Sequence, residues 1–366
     1  MRRIVVVTLA LLLGFSAYLG RLPRVHAALQ GRPGLATKEP RKKKALSAAQ
    51  RINQALVHYG FIGSVLIAQN GKVLLSHGYG QSGLRASAPR NRAGTVYNAD
   101  DLTVPLTASA ILQLQDEGKL SVGDSVCRYL SGCPADWKPI TIENLLDCTS
   151  GIYDPIVQDN SFSPTPATTT ADYIADAASH PLIGAPGVPD SWPCNPEPII
   201  LGSIVQTVSG GTFPSYIEQR VLQPAGLSHS GILQPNVTVP GMATPYGAGH
   251  TAPAGWIDGD WSYGLMGLYS TVDDVYKWDE ALLAGKIVTQ SSLAGMMNMH
   301  GQGSPYGWGL FASYLGKQLL VASGETPWDT EVNAIVPSTN TIIVFLCNTE
   351  TNAPSYVTPI LGLLKT

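Results

Sequence analysis

Charge is scarce in this sequence. Only 13% of its residues are Asp, Glu, Lys or Arg, and the formal net charge at pH 7 is −3. Without a basic field there is nothing to hold a polyphosphate, which argues against nucleic acid as a partner. Metal-ligand spacing is missing as well. His26, His58, His77, His180, His229, His250 and His300 stand apart, with no HxxxH pattern and no Cys/His cluster. No metal and no cofactor are expected on that basis. Internal repeats are absent, and so are long apolar runs, with one exception.

That exception runs from Ile4 to about Gly20, follows Arg2 and Arg3, and precedes Val25-His26-Ala27, which suits a cleavage site. It reads as a signal peptide over residues 1–27. Because the run is at the short end for spanning a bilayer, an uncleaved N-terminal anchor is the alternative. No Cys follows the run, which argues against a lipoprotein. Export to the periplasm or the exterior is therefore expected, with no membrane span after cleavage. Residues 28–45 end in KEPRKKK and read as a solvated basic linker that could sit near anionic lipid.

What is plentiful is glycine (38) and proline (27) in a chain of 366 residues. This composition belongs to a loop-rich globular protein, and the length allows one large domain or two packed together. Five cysteines in an exported chain permit two disulfides and one leftover thiol. Cys127 and Cys133 bracket a short looped stretch, and Cys148 and Cys194 are the other candidate pair. Cys347 lies in TIIVFLC, which reads as a buried strand. Asn236-Val237-Thr238 fits a glycosylation sequon, which matters only in a eukaryotic secretory pathway.

Helical spacing of Ile52, Leu56 and Val57 gives an amphipathic helix between Leu46 and Tyr59. GSVLIAQ and KVLLSHG meet at Asn70-Gly71, the signature of a hairpin with a type I′ turn. Three more strands stand near the other end: QLLVASG, TEVNAIVP and TIIVFLC, the last two separated by Ser338-Thr339-Asn340. Ser355 to Leu364 reads as a closing helix. Between these ends the pattern turns helical, at Thr141–Leu146, Ala171–Ala178, Ile199–Val208, Phe213–Val221 and Thr271–Leu283, with an irregular insertion from Gly151 to Pro196. The apolar stretch after Thr103 is a buried helix, capped by Thr103 and ended by Gly118. Strands from both ends around a helical middle imply an α+β fold: one antiparallel sheet with flanking helices and an inserted helical subdomain. The sheet part is expected over about 46–97 and 300–366, and the helical part over about 98–299.

The order and spacing of several stretches resemble the serine β-lactamase and penicillin-binding-protein family, in the branch with class C β-lactamases, D-amino-acid peptidases and esterases. They are GSVLIAQNGKVLLSHGYG, LTASAILQLQDEGKLSVGDSV, ITIENLLDCTSGI, LGSIVQTVSGGTFPSYIEQRVLQPAGL, GLYSTVDDVYKWDEALLAGK and SPYGWGL. The resemblance covers about Gln50 to Leu364. It implies acyl transfer by a Ser at the start of the buried helix, assisted by a Lys one turn later, a Y-x-N tyrosine and a Lys/His-Thr/Ser-Gly strand.

The residues that carry this chemistry are replaced. The first motif aligns on DLTVPLTA, with Asp101 at the Ser position and Val104 at the Lys position, and no S-x-x-K occurs anywhere in the chain. The second aligns on WPCN, with Pro193 for Tyr and Asn195 retained. The third aligns on Ala322-Ser323-Gly324, with the His or Lys lost, and Cys148-Thr149-Ser150-Gly151 stands where HTSG often does. The expected function is therefore binding of a cell-wall peptide, a small ligand or a protein, by a protein without serine-hydrolase chemistry. Asp101, Asn195, Ser323, Gly324 and Trp328 are the candidate binding residues. The alternatives are an active hydrolase using Asp101, Thr103, Cys194 and Ser323, and a purely structural envelope protein.

Asp101 has a plain reading, as a carboxylate favoured beside a helix N-terminus. Asp100 shares that plain reading; the functional one, as a cation ligand or a base for water, lacks an obvious partner, since no further acid pair and no His cluster lie nearby in sequence. Cys148 and Cys194 align to the rims of the cleft, where they form a disulfide, pack as isolated thiols, or supply a replacement nucleophile. Trp256, Trp261, Trp308 and Trp328 are expected near the cleft, as packing or as a stacking platform. Oligomeric state is not legible in the sequence.

Overall fold

The computed structural model describes residues 46–158, 162–165, 167–189, 194–235, 237–247, 249–251, 260–300, 303–308, 310–351 and 353–364. The leader and the basic linker lie outside these residues, as do Pro193, Asn236 and Trp256. Among the described residues no helix is long and apolar enough to cross a membrane.

Alternation of side chains builds the centre of the molecule. Six strands form one antiparallel sheet: β1 (Gly63–Gln69), β2 (Lys72–Tyr79), β3 (Leu310–Tyr314), β4 (Lys317–Glu325), β5 (Thr330–Val336) and β6 (Thr341–Cys347), in the order β2-β1-β6-β5-β4-β3. Strands β5 and β6 are buried along their whole length, so both faces of the sheet are covered. Val65 and Ile67 of β1, with Ile343 and Phe345 of β6, point to one face. There they meet Ile52 and Leu56 of α1 (Ala48–His58) and Ile360 and Leu361 of α5 (Pro354–Leu364). Leu66, Ala68, Ile342 and Val344 point to the other face, where they join the core around α2 (Thr103–Asp116). This is the α+β architecture expected, with strands from both ends of the chain in one sheet.

Local turn chemistry agrees with the sequence. Asn70 and Gly71 have φ of 53° and 71°, as a type I′ turn requires at both central positions, and register shifts between Ile67 and Ala68. A single turn at Pro337–Thr339 and Asn340 at φ 37° join β5 to β6. Arg51 ties the two outer helices together, donating to the Leu46 carbonyl and to the Leu363 carbonyl, each at 2.7 Å. Val57, placed on the apolar stripe of α1 by its spacing, is exposed. The stripe narrows to Ile52 and Leu56.

The buried helix α2 differs at its start. A single 3-10 turn at Asp100–Leu102 precedes it, and Thr103 is not a side-chain cap. The Thr103 hydroxyl donates to the Asp100 carbonyl at 2.6 Å and accepts from the Leu268 amide at 3.0 Å. It thereby fastens the helix to a small sheet of Tyr97–Asn98, Gly231–Ile232 and Leu268–Ser270, whose strands are too short to announce themselves by alternation. At the other end Gly118, at φ 69°, lets the Lys119 amide reach the Leu114 carbonyl, so the stop signal holds.

The expected helix at Phe213–Val221 is a composite of an α-turn at Phe213–Ile217, a π-segment at Glu218–Leu222 and a last turn at Gln223–Ala225. A further helix at Gln290–Met297 and strand β3 were not legible in the sequence. Thr271 caps α4 (Val272–Leu283) by accepting from the Asp274 amide, as its sequence signature suggests.

Helix α3 (Pro196–Ser209) lies against α2 and lets the chain at 263–264 approach its backbone closely. A Cβ on Gly202 would sit 2.4 Å from the Tyr263 carbonyl oxygen, and one on Gly264 2.0 Å from the Pro198 carbonyl oxygen. Gly202→Ala forces backbone apart in a packed interior, so it should cost about 2–3 kcal/mol in denaturant unfolding. An unchanged midpoint would contradict this close approach.

Candidate functional site

The start of α2, the edge of β4 and the start of α3 enclose a cleft of about 420 Å³. Its floor is Asp101, in the turn before α2, and Val104, in the helix's first turn. Ala322, Ser323 and Gly324 of β4 line one side, and Asn195, immediately before α3, lines another. The structure therefore brings Asp101, Val104, Asn195, Ala322, Ser323 and Gly324 to one cleft, together with Cys148 and Cys194, whereas Thr149, Ser150 and Gly151 are not among its lining residues. Pro193 lies outside the described residues.

The wall between α3 and the Thr149–Gly151 loop is covalent. Cys148 and Cys194 form a disulfide across the sequence separation of 46 residues, and both line the cleft. Of the three roles open to these cysteines, a replacement nucleophile is removed for as long as the bond stands, because no thiolate exists. Cys127 and Cys133 form the second disulfide, and Cys347 is buried and free in β6, both as the sequence suggested. The Asn195 amide donates to Asp154 at 2.8 Å, and Tyr173 donates to the same carboxylate at 3.1 Å. Asn195 is thus held in place by a buried acid from the irregular insertion.

Two of the candidate tryptophans take different places. Trp308 lines the cleft, whereas Trp261 is buried in a side cluster with Tyr173, Ile199 and Leu265. Trp328, offered as a binding residue, is not among the lining residues. Its amide donates to Thr326 and its carbonyl accepts from Tyr246, which holds it in the turn between β4 and β5. Glu325, which drew no attention in the sequence, lines the cleft next to Gly324.

The floor itself supplies neighbours for Asp101 that the sequence did not show. Its backbone N–H donates to Glu331 Oε1 at 3.0 Å, from a residue 230 positions away on β5. Gly324 lies so close that a Cβ there would stand 2.7 Å from Asp101 Oδ2. Asp100 and Asp329 are buried beside Glu331, and one oxygen from each of these three carboxylates lies within 4.8 Å of the others. Burial, then the charge of Asp329, pushes the Asp101 carboxyl up to about 7. Burial, followed by the neighbouring acids, holds Asp100 and Glu331 well above the usual carboxylate range, and burial raises Asp329. No single stretch of sequence contains this cluster. The available signal was an acid, Glu331, inside the strand TEVNAIV.

Chemically, the cleft offers hydrogen-bond acceptors over an apolar surface. Val104, Leu145, Leu146, Leu201, Leu265 and Trp308 supply the apolar area, and Asp101 and Glu325 supply acid. No Lys, Arg or His is among the described residues that line it. Comparison with known proteins gives the chain its family. The β-lactamase family model matches residues 48–362, and the chain belongs to that family. A protein named as a penicillin-binding protein, PbpX, of Bacillus subtilis (strain 168) is 31% identical over 320 residues, covering 87% of this chain and 78% of its own. Among solved structures, the penicillin binding protein from Bacillus halodurans superposes with a TM-score of 0.75 at 23% identity, over 85% of this chain and 98% of that one. The D-amino acid amidase from Ochrobactrum anthropi SV3, complexed with L-phenylalanine amide, gives a TM-score of 0.74 at 18% identity, over 87% and 97%. Both structural likenesses concern the fold.

Proposed function

We propose that this β-lactamase-family chain is an exported binding protein whose cleft holds a ligand without acylating. The observation that carries the reading is the floor of the cleft. At the helix start, where the family's nucleophile and base are expected one turn apart, stand the carboxyl of Asp101 and the isopropyl group of Val104. Asp101 lacks the hydroxyl that forms the family's ester, and Val can take no proton. Loss of a nucleophile or its base alone costs several orders of magnitude in rate. The substitute nucleophiles fare no better. Thr103 is fully buried and uses its hydroxyl in the backbone bonds described above, and Cys194 is in a disulfide. Ser323 lines the cleft with no basic side chain among the described lining residues.

The same lining supports one class of ligand over another. Acidic groups without a cation disfavour a carboxylate and favour a neutral or amine-bearing molecule with an apolar body. Within a cell-wall peptide, an amine-bearing side chain fits this cleft better than a terminal carboxylate.

The test is chemical. The protein, incubated with a fluorescent penicillin, a fluorophosphonate and p-nitrophenyl esters, is expected to keep its intact mass and to hydrolyse none of the esters above background. A stoichiometric adduct, or turnover abolished by Asp101→Asn or Cys194→Ala, would establish the competing reading of an active hydrolase with a non-standard catalytic set.

A further inference from the structure

The formal charge of −3 conceals a division of charge along the chain. Every Asp and Glu except Glu39 lies at Asp100 or beyond, so the stretch from Pro40 to Ala99 contains no acid. Within its described part stand Arg51, Lys72, Arg85, Arg90 and Arg92. Arg51 is committed to the Leu46 and Leu363 carbonyls. The other four are exposed, and none of them forms an ion pair among the described residues.

The fold gathers these four at one edge of the sheet. Strand β2 is the outermost strand, and Lys72 is its first residue. The chain leaves β2 and returns against its far end. There Arg90 pairs with Gln81, and a Cβ on Gly78 would lie 2.3 Å from the Arg92 nitrogen. Hydrogen bonds fix the loop between. The Ser82 amide donates to the Pro89 carbonyl and the Ala88 amide to the Arg85 carbonyl, each at 2.8 Å. The Asn91 side chain donates to the Tyr79 and Gln81 carbonyls at 2.8 and 3.1 Å. Three guanidinium groups therefore extend from a fixed backbone. Two exposed apolar side chains accompany the cations: Val73, next to Lys72, is 42% exposed, and Leu84, next to Arg85, is 44% exposed.

Three acids come near this edge, and none pairs with these cations. Asp273 of α4 accepts from Ser76 at 3.1 Å, and Glu280 of α4 accepts from Asn340 at 3.0 Å. Glu350 follows Asn348, which bonds Asn91, but its charge bears on Glu325 at the cleft.

We propose that this edge, made of Lys72, Arg85, Arg90 and Arg92 with Val73 and Leu84, docks the protein on an anionic lipid bilayer. Such a surface suits both kinds of group, since the cations are drawn to negative headgroups and the apolar side chains enter the interface. A soluble polyphosphate would meet the cations and leave Val73 and Leu84 in water. Arg41, Lys42, Lys43 and Lys44, outside the described residues, belong to the same acid-free run and add charge of the same sign. Docking by this edge keeps the cleft clear of lipid. Strand β4, which lines the cleft, stands four strands from β2, about 20 Å across the sheet.

The test labels the surface itself. In the full chain, Leu84→Cys and, as a control, Leu315→Cys each receive an environment-sensitive fluorophore, for which the buried thiol of Cys347 does not compete. Leu315 is 74% exposed in the turn between β3 and β4, at the opposite edge of the sheet. Phosphatidylcholine vesicles containing phosphatidylglycerol should shift the emission of the label at 84 to the blue and leave that at 315 unchanged. Vesicles of phosphatidylcholine alone should move neither, and high salt should reverse the shift. Arg85→Gln, Arg90→Gln and Arg92→Gln, added together to Leu84→Cys, should weaken the apparent vesicle affinity about tenfold or more without changing thermal unfolding. The proposal is overturned if the label at 84 ignores phosphatidylglycerol, if both labels respond alike, or if the arginine variant binds as tightly as its parent. Binding of dextran sulfate or duplex DNA by a chain whose label at 84 ignores the vesicles would assign the edge to a soluble polyanion instead.

Discussion

A chain carrying Cys148→Ala and Cys194→Ala is expected to lose about 4 kcal/mol of stability, roughly a thousandfold in its unfolding equilibrium. The size follows from the loop. A bond across a sequence separation of 46 residues removes much more freedom from the unfolded chain than one across 6, the separation of Cys127 and Cys133. Chain entropy assigns the shorter loop only about 2 kcal/mol. The two double variants, compared in the same denaturant series, should therefore differ by about 2 kcal/mol, with the longer loop dominant. The larger loss also has a local address. Cys148 sits at φ 59°, and Gly151 nearby is pressed so closely on Gly184 that a Cβ would lie 2.3 Å from that carbonyl oxygen. Unfastening the bond releases the loop that walls the cleft, so ligand affinity should fall together with stability. Equal costs for the two disulfides would show that the irregular insertion is held by other contacts.

The second large effect is a gain. The substitutions Asp101→Ser, Val104→Lys, Pro193→Tyr and Ala322→His together restore the four proton-handling positions of the family. The restored chain should accumulate an acyl adduct. A hydroxyl at 101 would stand at the same floor position, and an ammonium at 104, one turn on, would face the same cleft. Only part of the lost rate is expected back, since the supporting side chains are not tuned to the new groups. Ester hydrolysis about tenfold above that of Asp101→Asn would suffice to show it. Intact mass after exposure to a fluorescent penicillin is the direct readout. A well-folded variant that never acylates would mean that these positions do not converge on a common substrate atom.

Much of this architecture was legible because it is local. Asn70-Gly71 fixes a turn by backbone preference alone, Gly118 ends a helix, and alternation in GSVLIAQ sorts Val65 and Ile67 from Leu66 and Ala68 onto opposite faces of the sheet. The family positions in the cleft could also be read, since each belongs to a short motif in a fixed order. What escaped has no local signal. Two-residue strands such as Tyr97–Asn98 are too short for a period. Thr103 sits where a cap belongs, yet tertiary contacts with Leu268 gave its hydroxyl other work. The acids under the cleft floor come from segments 230 residues apart, and only the folding of β5 against the start of α2 brings them together. Asp101 looked isolated for that reason alone.

The guanidinium of Arg51 holds the carbonyls of Leu46 and Leu363 at the same distance, so the two ends of the described chain lie almost within reach of each other. Both belong to the layer of α1 and α5, on the face of the sheet away from α2. In practical terms this gives the molecule a back. A fusion partner joined before Leu46 or after Leu364 would therefore attach at one and the same layer of the fold.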